Sequence, residues 1–315
     1  MHKKIVVFGG GTGLSALLTG LKEYPVDITA VITVSDDGAS SGKLRKEFLM
    51  PAVGDIRKVI TNLSDINPKI KEMLEYRFET NSDLNGHPVG NLILTALFKI
   101  TGSLKESINL LEELLDVRHK VLPISEDNLT LCAELNSGKI VEGECEITEA
   151  EGRIKKLFYK DEPKVTKEVL DAIKKSDLIV FSMGSLYTSL LPNIICKDVI
   201  ETLNKSKSEI MYICNFASEK GETDGFTVGD HIEEINKYLD KRKVDVVVAS
   251  SSKVSDKIIN SYKKENKNLV KIDYDKIASL NCKLIEKDLV KEKKGMLRHD
   301  SMHLGSVIVS YIMDK

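Results

Sequence analysis

Residues 3–15 read KKIVVFGGGTGLS, a short apolar run that ends in three glycines and leads into a segment with helical spacing. Residues 27–34, DITAVITV, form a second apolar run of the same kind. Continuous apolar strands separated by helices are typical of a parallel sheet that is covered on both faces. The stretch therefore predicts a doubly wound, Rossmann-like α/β fold.

Later segments repeat this alternation. Strand-like runs, separated by helix-like segments, occur at residues 178–185, 209–218, 244–251 and 269–274. Residues 300–315 predict a closing helix. Residues 119–160 differ, because short strand-like runs are split there by the turn signals NSGK and EAEG. We predict one continuous domain over residues 1–315, with a mostly parallel sheet and a small antiparallel β insertion at about 119–160.

The composition excludes several classes of protein. The formal net charge is −2, aromatic residues make up 5%, and tryptophan is absent, so neither a basic nucleic-acid surface nor a base-stacking platform is predicted. The five cysteines are scattered, without the close spacing of a zinc site or a disulfide framework. The sequence has neither a signal-peptide pattern nor an apolar run of about 18 residues. We expect a cytoplasmic protein without a membrane span.

The glycine turn after the first strand is a candidate anion site. Backbone N–H groups at a helix N-terminus are unpaired, the helix dipole favours negative charge there, and glycine lets a ligand approach the backbone. The dinucleotide fingerprint G-x-G-x-x-G fails, because a leucine stands at its third glycine. Asp36 follows the turn by about 20 residues, where a dinucleotide site has the acid that binds the ribose, so the sequence matches an NAD site in part. The alternative is a tight turn that serves packing alone. The candidate contacts of this turn are Gly10, Gly11, Thr12, Gly13 and Leu14.

Residues 35–43, SDDGASSGK, come close to a phosphate-binding P-loop but break its pattern. The spacing of the two glycines is one residue short, and a leucine replaces the hydroxyl that binds Mg²⁺. Small residues such as Ser40 and Ser41 can still form an anion-binding nest of N–H groups. Beside them, Asp36 and Asp37 would hold Mg²⁺, accept hydrogen bonds from sugar hydroxyls or deprotonate an acceptor alcohol. An ordinary Asp-rich turn is the alternative.

Most of the other polar clusters follow predicted strands, at the edge where open α/β sheets bind ligands. Each has an ordinary alternative, such as a surface ion pair, a helix cap or a solvated helix start. The sequence contains no G-x-S-x-G nucleophile frame in these clusters, and we infer no Ser/His/acid triad. The candidate ligand contacts in these clusters are Asp55, Arg57, His87, Asn91, Gly184, Ser185, Leu186, Tyr187, Thr188, Asn193, Asn215, Glu222, Thr223, Asp224 and Arg298.

Almost the whole length carries a set of ordered motifs: GGGTGLS, VSDDGASSGKLR, GDIR, YRF, GHPVGN, GSLYTSLLPN, NFASEKGETDGF, and DH at 230–231. This set resembles the YvcK/CofD-like family. In its CofD branch, the resemblance implies the 2-phospho-L-lactate transferase of coenzyme F420 synthesis, which moves a phospholactyl group from a nucleotide-activated donor to the deazaflavin Fo with Mg²⁺. In its YvcK branch, it implies a gluconeogenesis factor that binds UDP-N-acetylglucosamine, is associated with cell shape and envelope synthesis, and has no established reaction. GGGTGLS, GSLYTSLLPN and GETDGF resemble the YvcK branch.

The resemblance also implies roles for particular residues. The glycine turn and Gly184 to Ser189 would line a nucleotide crevice. In the transferase branch, Asp36 and Asp37 would lie at the metal and the acceptor. Arg298 and Tyr262 would recognise the UDP-sugar.

Two stretches depart from the family's pattern. Met183 stands where the family has proline, and residues 218–220 differ from the usual motif. For partners, the resemblance implies the nucleotide-sugar ligand, a homodimer and an unidentified regulatory protein. Mg²⁺ is the one candidate cofactor.

Overall fold

The structure is a computed structural model that describes residues 2–293 and 295–314. Its central sheet is formed by β1 (Lys3–Gly9), β2 (Val26–Ile32), β3 (Lys120–Pro123), β7 (Leu178–Phe181), β8 (Glu209–Ile213), β9 (Val246–Ser250) and β10 (Lys283–Lys287). These strands are parallel and lie in the order β10–β9–β8–β7–β1–β2–β3. This is the Rossmann order extended by one strand, and it confirms the predicted fold class. The strand order reverses between β1 and β7, which is where such sheets bind ligands.

Helices connect the strands. In chain order they are α1 (Gly11–Leu21), α2 (Ala39–Phe48), α3 (Gly54–Leu63), α4 (Pro68–Glu75), α5 (Val89–Thr101), α6 (Leu104–Leu114), α7 (Glu144–Glu149), α8 (Lys167–Lys175), α9 (Leu191–Ile194), α10 (Lys197–Lys205), α11 (Val228–Tyr238), α12 (Asp256–Lys264), α13 (Tyr274–Ser279) and α14 (Ser301–Met313). A π-helical segment, Leu186–Leu190, precedes α9. The helix α1 packs against α3 and α14, and α8 packs against α10. Within the described ranges, no helix is long and apolar enough to cross a membrane.

The core lies on both faces of β1 and β7, which explains their unbroken apolar sequence. Ile5, Val7 and Phe8 of β1 are fully buried, and the ring of Phe8 meets that of Phe181 edge-on at 5.9 Å between centroids. Burying a side chain of this size stabilises the fold by about 2 kcal/mol. The packing therefore fixes β1 and β7, the two strands between which the strand order reverses.

The antiparallel insertion is smaller than predicted. The strands β4 (Leu131–Leu135), β5 (Ile140–Glu142) and β6 (Ile154–Tyr159) form it. The prediction that it begins near residue 119 is wrong, because β3 pairs in parallel with β2, with Val121 opposite Ala30. The strand-like reading of residues 144–149 is also wrong. Gly143 ends β5 with φ +100°, and the next residues form α7.

The last part of the sheet differs from the prediction as well. Residues 269–272 are not a strand of the sheet. They form a connecting segment that lies alongside Phe216, and the N–H of Val270 donates to the carbonyl of Phe216 at 3.0 Å. The seventh strand is β10, whose mostly charged sequence gave no strand signal. An antiparallel hairpin of β11 (Val290–Lys293) and β12 (Met296–His299) follows it and was not predicted.

Candidate functional site

The crevice begins where β1 turns into α1. A Cβ atom on Gly13 would overlap the carbonyl oxygen of Met183, so only glycine lets the first turn of α1 rest on the turn after β7. That second turn contains Gly184 at φ +141°, a conformation that other residues avoid. Asn215, just after β8, holds it in place. Its Oδ1 accepts from the N–H of Gly184 at 2.9 Å, and its Nδ2 donates to the carbonyl of Gly184 at 2.7 Å.

A cavity of about 430 Å³ lies over these turns, beneath the β11–β12 hairpin. It is within the size range of small-molecule sites. The hydroxyl of Tyr262, on α12, accepts from the N–H of Leu297 at 3.1 Å, which fixes the hairpin above the cavity. The sequence-predicted contacts that line it are Thr12, Gly13, Gly184, Asn215, Tyr262 and Arg298.

The cavity is lined by two cations, two acids and an aromatic pair, and one of the cations, Lys267, pairs with the lining acid Glu265 at 3.3 Å. Arg298 is exposed at its edge, and Lys267 lies in its wall. The rings of Phe216 and His299 meet at 4.8 Å between centroids. Burial lowers the pKa of His299 to about 4, so this ring is neutral at physiological pH, and burial raises the pKa of Glu219 to about 7. Of this lining, Arg298 and the two rings suit an anion that carries a planar, partly apolar group.

The acidic loop SDDGASSGK starts a helix rather than forming an open nest. The helix α2 begins at Ala39, and both Ser40 and Ser41 are buried in its first turn. Asp36 covers this end of the helix, since its Oδ1 accepts from the N–H of Gly38 at 2.9 Å. Burial raises the pKa of Asp36, while hydrogen bonds from Gly38 and Ser41 act in the opposite direction. The carboxylate of Asp36 thus lies beside the N-terminus of α2 and holds the turn that leads into the helix.

Two further acids anchor neighbouring helix starts. Oδ1 of Asp37 accepts from the N–H of Cys145 at 2.9 Å, at the start of α7. Oδ2 of Asp55 accepts from the N–H of Gly11 at 2.6 Å, and its Oδ1 contacts Nζ of Lys58 at 3.0 Å. Asp55 therefore takes the first amide of α1, and an anionic ligand at this helix would use the next amides of the turn.

Glu144 was not predicted and is the most perturbed acid of this region. Its Oε2 is buried without a hydrogen-bond partner within the described residues. Burial raises its pKa well above the usual value, and the carboxylates of Asp36, Asp55, Asp37 and Glu222 raise it further. Its sequence context reads as a strand, so no sequence signal marked it.

Glu144→Gln is expected to increase the free energy of unfolding at pH 8 and to change it little at pH 4. Because the pKa of Glu144 is raised on folding, the folded chain binds more protons than the unfolded chain between the two pKa values. The stability that the proton supplies is then lost as the pH rises through this window. Urea unfolding at both pH values measures the difference, with the exposed Glu146→Gln as control. An equal effect at pH 4 and pH 8 would show that folding does not raise the pKa of Glu144.

Several predicted contacts form a buried polar network behind the acidic loop. Oγ of Ser40 lies 2.8 Å from Nδ1 of His87 and accepts from Nδ2 of Asn91 at 3.1 Å. Oδ1 of Asn91 accepts from Nε of Arg57 at 3.2 Å, and Arg57 also pairs with Glu75. These side chains are buried, apart from the half-exposed Glu75, and they do not line the cavity. Their hydrogen bonds connect α2, α3 and α5.

The turn after β7 is organised by Glu222. Oγ of Ser185 donates to Oε2 of Glu222 at 2.5 Å, and the hydroxyl of Thr188 donates to Oγ of Ser185 at 2.6 Å. Burial raises the pKa of Glu222, and these hydrogen bonds lower it. Asn193 holds the other side of the turn, because its Nδ2 donates to the carbonyl of Gly9 at 3.2 Å.

The remaining predicted contacts shape the crevice from behind or lie outside it. Leu14, Leu186 and Tyr187 are buried in the core. Burial raises the pKa of Tyr187. Oγ1 of Thr223 accepts from a loop amide at 2.9 Å, and the exposed Asp224 accepts from another at 2.7 Å. Gly10 borders the Asp55 carboxylate.

Arg45 is a buried cation that sequence reasoning missed. Its Nη1 donates to the carbonyl oxygens of Ser35 at 2.5 Å and Asp36 at 3.1 Å. Its Nη2 donates to the carbonyl of Leu129 and to Oδ1 of Asn128. The guanidinium joins the acidic loop to the insertion. Burial lowers the pKa of Arg45, and the nearby acids oppose this shift. The motif SSGKLR contained the residue, but two of its partners, Asn128 and Leu129, are more than 80 residues away along the chain.

Comparison with known proteins shows the family of the chain. The family described as "2-phospho-L-lactate transferase CofD" matches residues 5–290. The chain belongs to the CofD family. It is 39% identical over 312 residues to the gluconeogenesis factor of Bacillus subtilis, covering 99% of this chain and 98% of that protein. It is 42% identical over 310 residues to the gluconeogenesis factor of Halalkalibacterium halodurans, covering 98% and 96%.

A solved structure agrees with the CofD-family fold. A crystal structure of a Bacillus halodurans protein superposes with a TM-score of 0.96 at 41% sequence identity, covering 98% of this chain and all of that chain. The family match ends at residue 290, before β12, whereas the gluconeogenesis factors match 98–99% of the chain. Arg298 and the closing helix therefore lie outside the matched range but inside the similarity to the gluconeogenesis factors.

The resemblance to the CofD family implies a Mg²⁺ ion beside the acidic loop. The residue types there suit this ion, but their positions do not form a coordination site. Carboxylate oxygens are the ligands that Mg²⁺ prefers, and the unpaired Oε2 of Glu144 next to Asp36 and Asp37 would gain from a cation. In the described part of the chain, however, no three His, Cys, Asp or Glu residues converge as a metal site would require. Asp36 and Asp37, the acids that the resemblance assigns to the ion, each accept a hydrogen bond from a backbone N–H group instead.

Proposed function

We propose that the protein binds a UDP-sugar, with UDP-N-acetylglucosamine as the first candidate, and acts as a gluconeogenesis factor. One observation carries the proposal. Residues from four separate segments meet in one cavity at the switch point of the sheet: Gly13 from α1, Gly184 after β7, Tyr262 on α12 and Arg298 on β12. This is the crevice in which Rossmann-like sheets bind nucleotides.

The chemistry of the cavity supports a nucleotide diphosphate. The first turn of α1 offers backbone N–H groups, and Arg298 supplies a guanidinium that can form a bidentate contact with phosphate. The rings of Phe216 and His299, inclined at 54° to each other, offer apolar faces to a pyrimidine base. Asp36 and Asp37 carry no part of this proposal, because they do not line the cavity.

The biological role that we propose follows the names of the relatives. Proteins named gluconeogenesis factor match the chain over nearly its whole length. We propose a cytoplasmic sensor that links carbon supply to envelope synthesis and cell shape, and that passes the signal to a regulatory protein partner. Such a role requires ligand binding but no turnover.

Calorimetry with UDP-N-acetylglucosamine tests the proposal. We expect saturable binding to the folded chain. Binding of UDP should be weaker, because UDP lacks the sugar, and NAD should not bind, because Leu14 breaks the dinucleotide fingerprint. Circular dichroism in the same buffer establishes that the chain is folded. A folded protein that shows no heat of binding at about 1 mM ligand would rule the proposal out.

A second function, a CofD-type transferase, is favoured by the match of residues 5–290 to the family described as a 2-phospho-L-lactate transferase. In that function Asp36 and Asp37 would hold Mg²⁺, which would neutralise phosphate charge, and an aspartate would position the acceptor hydroxyl. We would then expect turnover of a nucleotide-activated phospholactate with Fo, and its loss in Asp37→Asn. An absence of turnover together with UDP-sugar binding would leave the sensor function alone.

A further inference from the structure

A second cavity, of about 600 Å³, lies at the edge of the sheet opposite the crevice. It is formed where the amino ends of β1, β2 and β3 meet the helices α6 and α8. Its volume is within the range of small-molecule sites. Because β1 has seven residues, its two ends are about 20 Å apart. A small ligand in this cavity is therefore out of contact with the nucleotide cavity, and the two cavities share no lining residue.

Strand register places four polar side chains of this cavity on the same face of the sheet. Lys4 of β1 is the partner of Asp27 of β2, and Thr29 of β2 is the partner of Lys120 of β3. Partner residues of neighbouring strands project from the same face, and so do residues two apart on one strand. All four side chains therefore share one face, with one lysine on each side of β2.

Each of these two lysines has a second cation on its side of the cavity. Lys175 ends α8 on the β1 side, and two residues later the N–H of Asp177 donates to the carbonyl of Lys4 at 2.8 Å. Arg118 precedes Lys120 by two residues on the β3 side, and both line the cavity. In the described part of the chain, none of these four cations forms an ion pair.

The acids of the two helices do not neutralise these cations. Glu168 of α8 pairs with Lys105 of α6. Asp171 lies 3.3 Å from Nζ of Lys174, which is outside the cavity. Burial raises the pKa of Glu112 to about 7, so its carboxyl carries only part of a negative charge at neutral pH. Positive charge therefore predominates in the cavity, although the whole chain has a formal net charge of −2.

The spacing of the cations indicates the kind of anion that fits. The strands β1 and β3 lie on either side of β2, so two strand spacings, about 10 Å, separate the two pairs of cations along the sheet. Between the pairs, Thr29 offers a hydroxyl and Asn109 of α6 an amide. Asp27 adds carboxylate oxygens, of which Oδ1 lies 3.3 Å from Nδ1 of His2. These groups suit the hydroxyls of a sugar.

We propose that this cavity is a second ligand site, which binds a sugar bisphosphate. Lys4 and Lys175 contact one phosphate group, and Arg118 and Lys120 contact the other, as charge-assisted hydrogen bonds to phosphate require. The hydroxyls of the sugar lie over β2, between the two pairs. The site depends on neither the nucleotide cavity nor its ligand.

Titration calorimetry of the full chain with glucose 1,6-bisphosphate tests the proposal. We expect saturable binding with a dissociation constant below about 1 mM. Glucose 6-phosphate and inorganic phosphate should each bind at least about 10-fold more weakly, because a single phosphate group engages only one of the two pairs of cations.

Two substitutions locate the bisphosphate in the cavity. Lys4→Ala and Lys120→Ala should each raise the dissociation constant about 10-fold or more, because each removes a charge-assisted contact with phosphate. Lys3→Ala is the matched control. Lys3 is the preceding residue of β1, projects from the other face of the sheet and does not line the cavity, so the constant should change less than about threefold.

Several results would overturn the proposal. They are the absence of binding heat at about 10 mM bisphosphate, equal affinities for the bisphosphate and inorganic phosphate, and equal losses in Lys3→Ala and Lys4→Ala. Arg298→Ala distinguishes this site from the nucleotide cavity, because it should leave the affinity for the bisphosphate unchanged. A loss of affinity in Arg298→Ala would place the bisphosphate in the nucleotide cavity and overturn the proposal equally. Unchanged far-ultraviolet circular dichroism shows that each variant is folded.

Discussion

Replacing Arg298 by alanine is expected to weaken the binding of UDP-N-acetylglucosamine about 10- to 100-fold without unfolding the chain. A charge-assisted hydrogen bond to phosphate contributes about 1.5–3 kcal/mol, and Arg298 is the exposed guanidinium at the edge of the cavity. The side chain is exposed, so its removal leaves no cavity in the core. Titration calorimetry gives the affinity, and the melting temperature of the free protein should stay within a few degrees.

The control for this substitution lies on the same hairpin. Lys293 is exposed at the end of β11 and does not line the cavity, so Lys293→Ala removes one positive charge without removing the contact. We expect its affinity to fall less than about threefold, as for a distant screened charge. Equal losses in the two variants would indicate general electrostatic attraction, and an unchanged affinity in Arg298→Ala would place the site elsewhere.

Replacing Arg45 by alanine is expected to lower the free energy of unfolding by about 3 kcal/mol or more. The guanidinium is 8% exposed and donates to the carbonyls of Ser35, Asp36 and Leu129. Its loss leaves these acceptors without their donor and removes the cation that offsets the acids of the crevice. Urea unfolding at neutral pH measures the change.

Two variants test whether the geometry of Arg45 or only its charge is required. Arg45→Lys keeps the charge but cannot reach all the acceptors of a planar guanidinium, so we expect an intermediate loss of stability. Lys46→Ala, at the next and exposed position, should change the free energy of unfolding by less than about 0.5 kcal/mol. A stability loss in Arg45→Ala no larger than in Lys46→Ala would contradict the proposed role.

Local sequence patterns predicted most of the sheet. The apolar runs of β1, β2, β7, β8 and β9 are buried on both faces, so burial alone requires Val, Ile, Leu and Phe there, and this requirement is visible without knowledge of neighbours. The edge strand β10 reads KLIEK, because an edge strand pairs on one side only and tolerates charge. Its pairing with β9 therefore could not be read from its own composition.

Pairing between distant segments explains why the prediction of the insertion was wrong. Residues 120–123 and 131–135 have similar strand signals, yet the first pairs with β2 and the second with β6. Residues 144–149 form a helix although they carry β-type residues. Their first turn is anchored by the carboxylate of Asp37, which lies 108 positions earlier than Cys145. Such contacts override local propensity.

The sequence by itself determined the doubly wound sheet, the glycine turn after β1 and membership of the CofD family, because each depends on residue types at short, fixed spacing. Only the tertiary structure decided which polar residues face the cavity. Gly13 and Arg298 meet there, whereas His87 and Arg57 turn inward to a buried network. The physical reason is that a polar side chain is satisfied equally well by a ligand or by a buried partner. The choice between them is made by packing between segments far apart in the chain.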